Sequence, residues 1–312
     1  MRAVALLALL AAACGAERGT VLRRSNDLRL AARWDEAHRG VSQELARGDL
    51  SRDDRIALLV ERAAIEREVG TYRRRAAGED AHRTIGEAER LLDASPQAGA
   101  LRIAAREERG RQIYFGAFDG EGTFDDAMPY FQASRELSER NGDRAALARS
   151  WFFIGLVHQQ SGRAREAKEA FERGHAIATA AKLPVELGYL ERHLASLAQE
   201  AGDLAQAEAR FRRSLELREQ AGHRWGVVFA CLALADVLVA RGDREGAMKQ
   251  IDRAAALAVE LDVWRGAADA AEARAALEEG AAACARREEA ARAWEKYGDP
   301  RAAEAARCSQ KN

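Results

Sequence analysis

The chain has 312 residues, of which 47% are hydrophobic, 32% charged and only 6% aromatic. Four prolines leave long stretches that helices can occupy unbroken, and no run of alternating Val, Ile and Thr indicates a strand. The formal net charge is −1 and acids and bases are mixed along every segment, which excludes the basic stripe of a nucleic-acid-binding protein. The composition therefore predicts an all-α protein with no nucleic-acid partner.

The first fourteen residues form a segment separate from the fold. Arg2 precedes an unbroken apolar run over residues 3–13. A helix that crosses a bilayer needs about 20 residues, so this run instead has the length of the apolar centre of a secretory signal. The alanines before Cys14 resemble the lipobox of bacterial lipoproteins, although Ala11 stands where that family usually has leucine. The resemblance implies a signal peptide over residues 1–13 and a lipid on Cys14.

A lipid on Cys14 would hold the protein at the membrane surface, on the periplasmic side of the bacterial cell envelope, without a spanning helix. Two alternatives stay open. A plain secretory signal, cut at an Ala-x-Ala site, gives a secreted protein. An apolar cap on the first helix gives a cytoplasmic one.

Degenerate helical repeats are predicted over residues 17–93. Segments 33–41 and 85–92 each have the pattern of the second helix of a helical hairpin, and residues 51–70 form the first helix that pairs with the later of them. These early units match the repeat downstream only weakly.

A 40-residue repeat organises the clearest region, residues 97–262. Gly162, Gly202 and Gly242 recur at this interval, and each opens a turn in which glycine adopts a left-handed backbone easily. Small and large apolar residues keep the same register around these turns. The small columns are Gly155, Ala195, Ala235 and Ala167, Ala207, Ala247, and the large column is Phe171, Phe211, Ile251. Each unit is thus predicted to be a hairpin of two closely packed helices, whose apolar face the next hairpin covers.

One copy of the repeat resembles the signature of the tetratricopeptide repeat family at five positions: Trp151, Ile154, Gly155, Ala167 and Phe171. That family has a period of about 34 residues. We assign the extra residues here to longer helices and to inter-hairpin loops at 181–188 and 221–226. The resemblance implies a right-handed α-solenoid of six to seven hairpins.

The C-terminal region is predicted to be a looser version of the same architecture. Residues 263–299 contain a last pair of helices at 264–280 and 287–299, and residues 300–312 form a cap and tail.

Three cysteines follow Cys14, an odd number that argues against a disulfide framework. Cys231 lies in an apolar helix and is predicted to be a small hydrophobic core residue. The spacing of Cys284 and Cys308 leaves open whether the two pair.

No catalytic or metal-binding motif occurs in the sequence, which has no HExxH, no phosphate-binding glycine loop, no GxSxG and no CxxC. The acidic segment 118–126 lacks the ligand spacing of an EF-hand, so we expect it to cap the following helix. The sequence therefore predicts a protein that is not an enzyme and needs no cofactor and no metal.

The family resemblance implies that the first helix of each unit lines a concave groove. Alignment on the small column gives nine candidate groove residues: Arg149, Phe152, Gln159, Tyr189, Arg192, Ser196, Gln199, Phe229 and Asp236. Their mixture of aromatic, amide and charged groups favours a peptide or partner helix, without the Lys/Arg clamp by which some family members hold a C-terminal carboxylate. In the alternative interpretation, Phe152 and Phe229 simply pack against the adjacent hairpin.

These observations favour a protein-interaction scaffold anchored in the bacterial cell envelope. The alternative function is a cytoplasmic regulatory array that binds a signalling protein or a small effector.

Overall fold

A computed structural model describes residues 16–75, 78–93 and 99–308 of the chain. This part of the chain contains fifteen α-helices and no strand. The helices are α1 (Ala16–Leu30), α2 (Trp34–Leu45), α3 (Arg52–Glu68), α4 (Gly78–Asp93), α5 (Gly99–Gly116), α6 (Met128–Asn141), α7 (Arg144–Gln160), α8 (Ala164–Ala180), α9 (Pro184–Glu200), α10 (Leu204–Gln220), α11 (Arg224–Ala240), α12 (Arg244–Glu260), α13 (Trp264–Ala275), α14 (Gly280–Tyr297) and α15 (Pro300–Ala306). The predicted signal peptide and lipid site, residues 1–13 and Cys14, lie outside the described residues.

The helices form seven consecutive hairpins, α1–α2 through α13–α14, followed by the single helix α15. Each hairpin packs on the next, which gives the predicted right-handed α-solenoid. None of the described helices is long and apolar enough to cross a membrane.

The repeat period comes from helix length. Each helix from α7 to α12 contains 17 residues, and three-residue turns separate them. The prediction of inter-hairpin loops at 181–188 and 221–226 is therefore wrong. Helix α9 already begins at Pro184, and α11 begins at Arg224, because proline suits the first turn of a helix and Arg224 is a good helix former.

The three repeated glycines lie at the bends, as predicted. Gly162, Gly202 and Gly242 have φ values of 74°, 81° and 82°. After two of these turns an aspartate caps the next helix: Asp203 accepts a hydrogen bond from the Gln206 amide at 3.0 Å, and Asp243 accepts one from the Gly246 amide at 2.8 Å. Turn and cap together fix where one helix ends and its partner begins.

The repeat position of Gly155 must be a small residue because a large side chain approaches it closely. A Cβ atom added to Gly155 would lie 2.5 Å from Cδ1 of Phe171 in the partner helix. Phe171 is fully buried and also contacts His193 of the next hairpin, with 5.4 Å between ring centroids. One phenylalanine thus joins the two helices of its own hairpin to the following hairpin, as the repeat predicts.

Residues 69–75, hereafter the closing segment, fold the solenoid onto itself. Helix α3 ends before the predicted residue 70 and continues as a π-helix, Val69–Arg73. The ring of Tyr72 lies 4.4 Å from that of Trp225 in α11, and the Tyr297 hydroxyl in α14 donates a hydrogen bond to the Gly70 carbonyl at 3.1 Å. The N-terminal hairpins and the C-terminal hairpins consequently share one hydrophobic core.

Two arginines strengthen this closure at its edge. Arg73 pairs with Asp262 at 3.2 Å, and Arg75 pairs with Asp299 at 3.0 Å. These partly exposed pairs contribute little free energy individually, so we assign the closure mainly to the aromatic contact.

The C-terminal helices differ from prediction in their bounds. Helix α13 ends at Ala275 instead of residue 280, and α14 begins at Gly280 instead of residue 287. The break falls here because Glu279 is extended and Gly280 has a φ of 57°.

Cys284 and Cys308, whose pairing the sequence left open, form a disulfide. It ties the chain after α15 to α14. Cys231 is a buried free thiol, as predicted, and burial raises its pKa to about 11.

The acidic segment 118–126 contains a helix cap, but the cap belongs to a short 3-10 helix, Phe124–Ala127, that leads into α6, and α6 itself begins without a side-chain cap. Thr123 and Asp126 form a capping box, in which the Thr123 amide donates to Oδ2 of Asp126 at 2.8 Å. Within the described ranges, no three His, Cys, Asp or Glu side chains are grouped so as to hold a metal ion.

Replacing Gly155 with alanine is expected to lower the free energy of unfolding by about 1–3 kcal/mol, because the new methyl group overlaps the Phe171 ring. The matched control is Gly86→Ala in the interior of α4, where the nearest atoms are 3.7 Å away. It is expected to raise the free energy of unfolding by about 0.5–1 kcal/mol. Urea unfolding curves measure both, and a Gly155→Ala variant as stable as Gly86→Ala would contradict the contact.

Candidate functional site

A cavity of about 480 Å³ lies at the centre of the concave face. Its wall is formed by the first helices of all seven hairpins, by Phe118 just after α5, by Thr71 and Tyr72 of the closing segment, and by Arg218 of the second helix α10. Ligand pockets usually enclose about 300–1,000 Å³, so this cavity has the size of a binding site for a small molecule or a few peptide residues.

Five of the nine predicted groove residues line the cavity: Arg149, Phe152, Tyr189, Arg192 and Phe229. They come from α7, α9 and α11, three first helices that the repeat sets side by side. The rings of Phe152 and Tyr189 lie 5.4 Å apart across two hairpins. Phe152, only 7% exposed, therefore both lines the cavity and packs against the adjacent hairpin.

The other four predicted residues, Gln159, Ser196, Gln199 and Asp236, are not part of the cavity wall. In α9 and α11 the wall is formed by the N-terminal half of the helix, and three of these residues lie in the C-terminal halves. Gln199 donates a hydrogen bond to Asp236 at 2.7 Å, which links α9 to α11. Gln159 contacts the wall through His193, which lines the cavity and lies within hydrogen-bond distance of Gln159.

Aromatic side chains give the cavity its apolar surface. Tyr72 of the closing segment packs on Trp225 and on Phe229, whose ring centroid is 5.4 Å away. Sequence analysis misses Tyr72, since the early repeats are too degenerate to align. Trp225 could have been predicted from the sequence. It occupies the same repeat position as Val185 and Arg265, and all three line the cavity.

A second set of residues spaced by 40 shows that the repeat continues one unit further towards the C-terminus than predicted. Arg149, Tyr189 and Phe229 are followed one repeat later by Asp269, which also lines the cavity. Burial raises the pKa of Asp269 to about 6, even though Arg265 and Arg192 favour its ionised form.

The cavity contains more cationic groups than the three aligned units indicate. Seven arginines line the cavity, against four carboxylates: Arg29, Arg67, Arg111, Arg149, Arg192, Arg218 and Arg265 face Glu61, Glu68, Glu186 and Asp269. The prediction considered only three units, whereas closure of the solenoid adds α1, α3 and α5 to the same wall.

Most of these arginines are neutralised by a ladder of buried ion pairs that runs across the first helices from α1 to α9. The N–O distances are 2.9 Å for Arg29–Glu61, 2.7 Å for Arg67–Glu108, 3.1 Å for Arg149–Glu107 and 3.1 Å for Arg149–Glu186. Removing one member would leave its buried partner uncompensated, which is strongly destabilising. The ladder therefore fixes the first helices relative to one another.

Arg192, Arg218 and Arg265 stand apart from this ladder. Among the described residues, none of the three has a carboxylate within ion-pair distance. Arg218 is only 3% exposed; it donates to Oγ of Ser214 at 3.3 Å and lies over the Tyr189 ring, 4.4 Å from its centroid. Burial, together with the nearby charge of Arg192, lowers the pKa of Arg218 to about 10, so the group remains charged at neutral pH.

Two histidines beside these arginines, the half-buried His193 and the buried His223, are neutral. Burial, with repulsion from Arg192 and Arg218, holds the pKa of His193 well below its usual range, and burial with Arg218 does the same for His223. Nδ1 of His193 lies 2.9 Å from Oε1 of Gln159, an acceptor, so Nδ1 carries the proton. Nε2 then accepts a hydrogen bond from Nη1 of Arg192 at 3.3 Å, which orients that guanidinium.

Residues 120–180 match the tetratricopeptide repeat family. The matched segment contains α6, α7 and α8, and together with the fold it supports a tetratricopeptide repeat protein. No curated protein sequence matches the chain.

Solved structures with the same fold include a Rap protein complexed with Competence and Sporulation Factor. It is 15% identical, with a TM-score of 0.69 over 93% of this chain and 80% of that one. NprR in complex with its cognate peptide NprX is 14% identical, with a TM-score of 0.64 over 89% and 78%. The apo quorum sensor NprR from B. thuringiensis is 11% identical, with a TM-score of 0.57 over 93% and 85%. At these identities the likeness is one of fold.

Proposed function

We propose that this protein is a non-catalytic interaction scaffold that binds a short peptide segment of a partner protein in its central cavity. The observation that carries the proposal is the cavity itself, which combines an aromatic wall with arginines at the centre of a repeat array. Aromatic side chains supply rigid apolar anchors, and charged groups set the orientation of a bound chain.

The proposed ligand is an extended peptide segment. A cavity of about 480 Å³ has the size of a site for a few peptide residues. Solved complexes with the same fold support such binding, namely Rap with Competence and Sporulation Factor and NprR with its cognate peptide NprX.

We further propose that a lipid on Cys14 anchors the scaffold in the bacterial cell envelope. The support is the sequence pattern alone, an apolar run of signal-peptide length ending in alanines before a cysteine. In that location the cavity would hold an envelope protein near the membrane surface.

The second candidate is a cytoplasmic regulatory array that binds a signalling peptide or a small effector. The enclosed volume favours it as well, because the cavity lies within the size range of small-molecule sites. The two functions differ in where the protein resides, which is the simplest property to measure.

Replacing Tyr189 and Phe229 together with leucine is expected to weaken partner binding at least about tenfold, because each aromatic anchor of an interface commonly contributes more than about 1 kcal/mol. Leucine keeps the site apolar and spares the fold. Phe152 is left intact because removal of a buried phenylalanine side chain costs about 3–5 kcal/mol of stability. Partners captured from a cell extract on the immobilised protein are identified by mass spectrometry and then titrated.

The control for this experiment is Val259→Ser on α12, a position that is 57% exposed and outside the cavity. It should retain every partner. A double variant that melts as wild type does and binds the same partners with unchanged affinity would refute binding in the cavity.

Replacing Cys14 with serine is expected to abolish incorporation of labelled palmitate and to release the protein from membranes, since the thiol is the lipid acceptor. The control, Cys231→Ser, alters a buried thiol and should remain labelled. Wild-type protein that takes up no palmitate and fractionates with the cytoplasm would instead favour the regulatory array.

A further inference from the structure

The last helix, α15, depends on a covalent bond for its position. It has seven residues, and isolated helices shorter than about 12 residues are marginal in water. Ala303 is its only buried residue, and an alanine methyl group removes little apolar surface from water. The disulfide between Cys284 and Cys308 joins the chain just after this helix to the N-terminal part of α14.

The other contacts between the end of α15 and α14 are polar and partly exposed. Arg307 pairs with Glu288 at 3.5 Å and also with Glu295, and the Cys308 amide donates to Oε1 of Glu288 at 3.2 Å. Ion pairs with this exposure contribute little free energy. Once the disulfide is broken, these contacts therefore hold α15 only weakly.

The turn between α14 and α15 is also where the closing segment docks. Oδ1 of Asp299 caps α15 by accepting a hydrogen bond from the Ala302 amide at 3.0 Å, and Oδ2 accepts one from Nη1 of Arg75 at 3.0 Å. Two residues earlier, the Tyr297 hydroxyl donates to the Gly70 carbonyl at 3.1 Å. One carboxylate thus bonds both the first turn of α15 and the closing segment.

The docked closing segment places Tyr72 in the cavity wall, against Trp225. A continuous set of contacts therefore leads from the disulfide, through α15 and Asp299, to a side chain that lines the cavity. Coupling between two distant sites is carried by packed and hydrogen-bonded groups of this kind.

The disulfide is accessible to a reductant. Both of its cysteines are half-buried, and a disulfide that a thiolate can reach undergoes thiol–disulfide exchange. The reductant is a dithiol: its first thiolate attacks one sulfur of the bond, and its second thiol then displaces the mixed disulfide. The dithiol is oxidised to a disulfide, while Cys284 and Cys308 together gain two electrons and two protons.

We propose that the Cys284–Cys308 disulfide is a redox switch that controls the docking of the closing segment. In the oxidised protein α15 holds Asp299 in place and the cavity is closed on this side. Reduction releases α15, weakens the contacts of Asp299 and Tyr297 with the closing segment, and opens the cavity. The consequence for ligand binding rests on the proposed function, whereas the opening is a property of the ligand-free protein and is measured without ligand.

The test is amide hydrogen exchange of the full-length, ligand-free protein, followed by mass spectrometry before and after reduction with dithiothreitol. Reduction is expected to accelerate exchange in α15 and in the closing segment at least about threefold, because the loss of even one net hydrogen bond raises the open population by that factor. Exchange in the hairpin of α7 and α8 should stay unchanged.

Three results would overturn the switch. Acceleration confined to α15 would mean that the disulfide only secures the C-terminal end. Equal acceleration in α7 and α8 would mean a general loss of stability, and unchanged exchange everywhere would mean that the disulfide holds nothing. None of these results bears on peptide binding, since no ligand is present.

A variant without the disulfide separates its loss from other effects of the reductant. Cys284→Ser combined with Cys308→Ser is expected to exchange as the reduced wild type does and to show no response to dithiothreitol. The control, Cys231→Ala, removes the buried free thiol and should keep the full response. A double variant that exchanges like the oxidised wild type would contradict the proposal.

Tyr297→Phe tests whether the effect passes through the turn between α14 and α15, because it removes only the hydroxyl that bonds Gly70. The closing segment of this variant should exchange faster even when oxidised, and reduction should add less than in wild type, since perturbations that act on a shared contact are not additive. The matched control, Tyr130→Phe on α6, should keep the full response. A full response of Tyr297→Phe would show that the disulfide does not act through this turn.

Discussion

The contact of Tyr72 with Trp225 and Phe229 determines what kind of binding site this molecule has. A stack of helical hairpins by itself leaves an open concave face along its whole length. Here the closing segment brings α3 against α11 and α14, so that hairpins distant in sequence share one hydrophobic core. The concave face becomes a cavity of about 480 Å³, and a π-helix lies at the point of closure. Such irregular helical turns are frequent at functional sites.

Charge inside the cavity is distributed unevenly. Buried ion pairs join the first helices from α1 to α9 and fix their positions, with each arginine matched by a glutamate. Arg192, Arg218 and Arg265 also line the cavity and have no such match among the described residues. A buried charge without a partner lowers stability. The ion pairs therefore fix the N-terminal side of the cavity wall, and the unmatched arginines lie on its C-terminal side.

Much of the fold follows from the sequence, because the spacing of Gly162, Gly202 and Gly242 and the pairing of Gly155 with Phe171 are local in the chain. The site follows only in part. Alignment by register finds Arg149, Tyr189 and Phe229, and one further repeat reaches Asp269. Tyr72 and the arginines of α1, α3 and α5 could not be predicted. They reach the cavity because segments far apart in the chain come together, and no repeat pattern encodes that contact. Arg218 was not predicted because it lies on a second helix, whereas only first helices were aligned.

The position of the bound ligand tests most directly whether this protein works through an enclosed cavity. Phe118, which lines the cavity and is 48% exposed, can be replaced by the photoreactive residue benzoylphenylalanine with little change in shape. Val259, 57% exposed and outside the cavity, is the matched position. Illumination in cells is expected to cross-link a partner at position 118 and none at position 259. Cross-links at 259 with none at 118 would contradict binding in the cavity and place the partner on the outer surface.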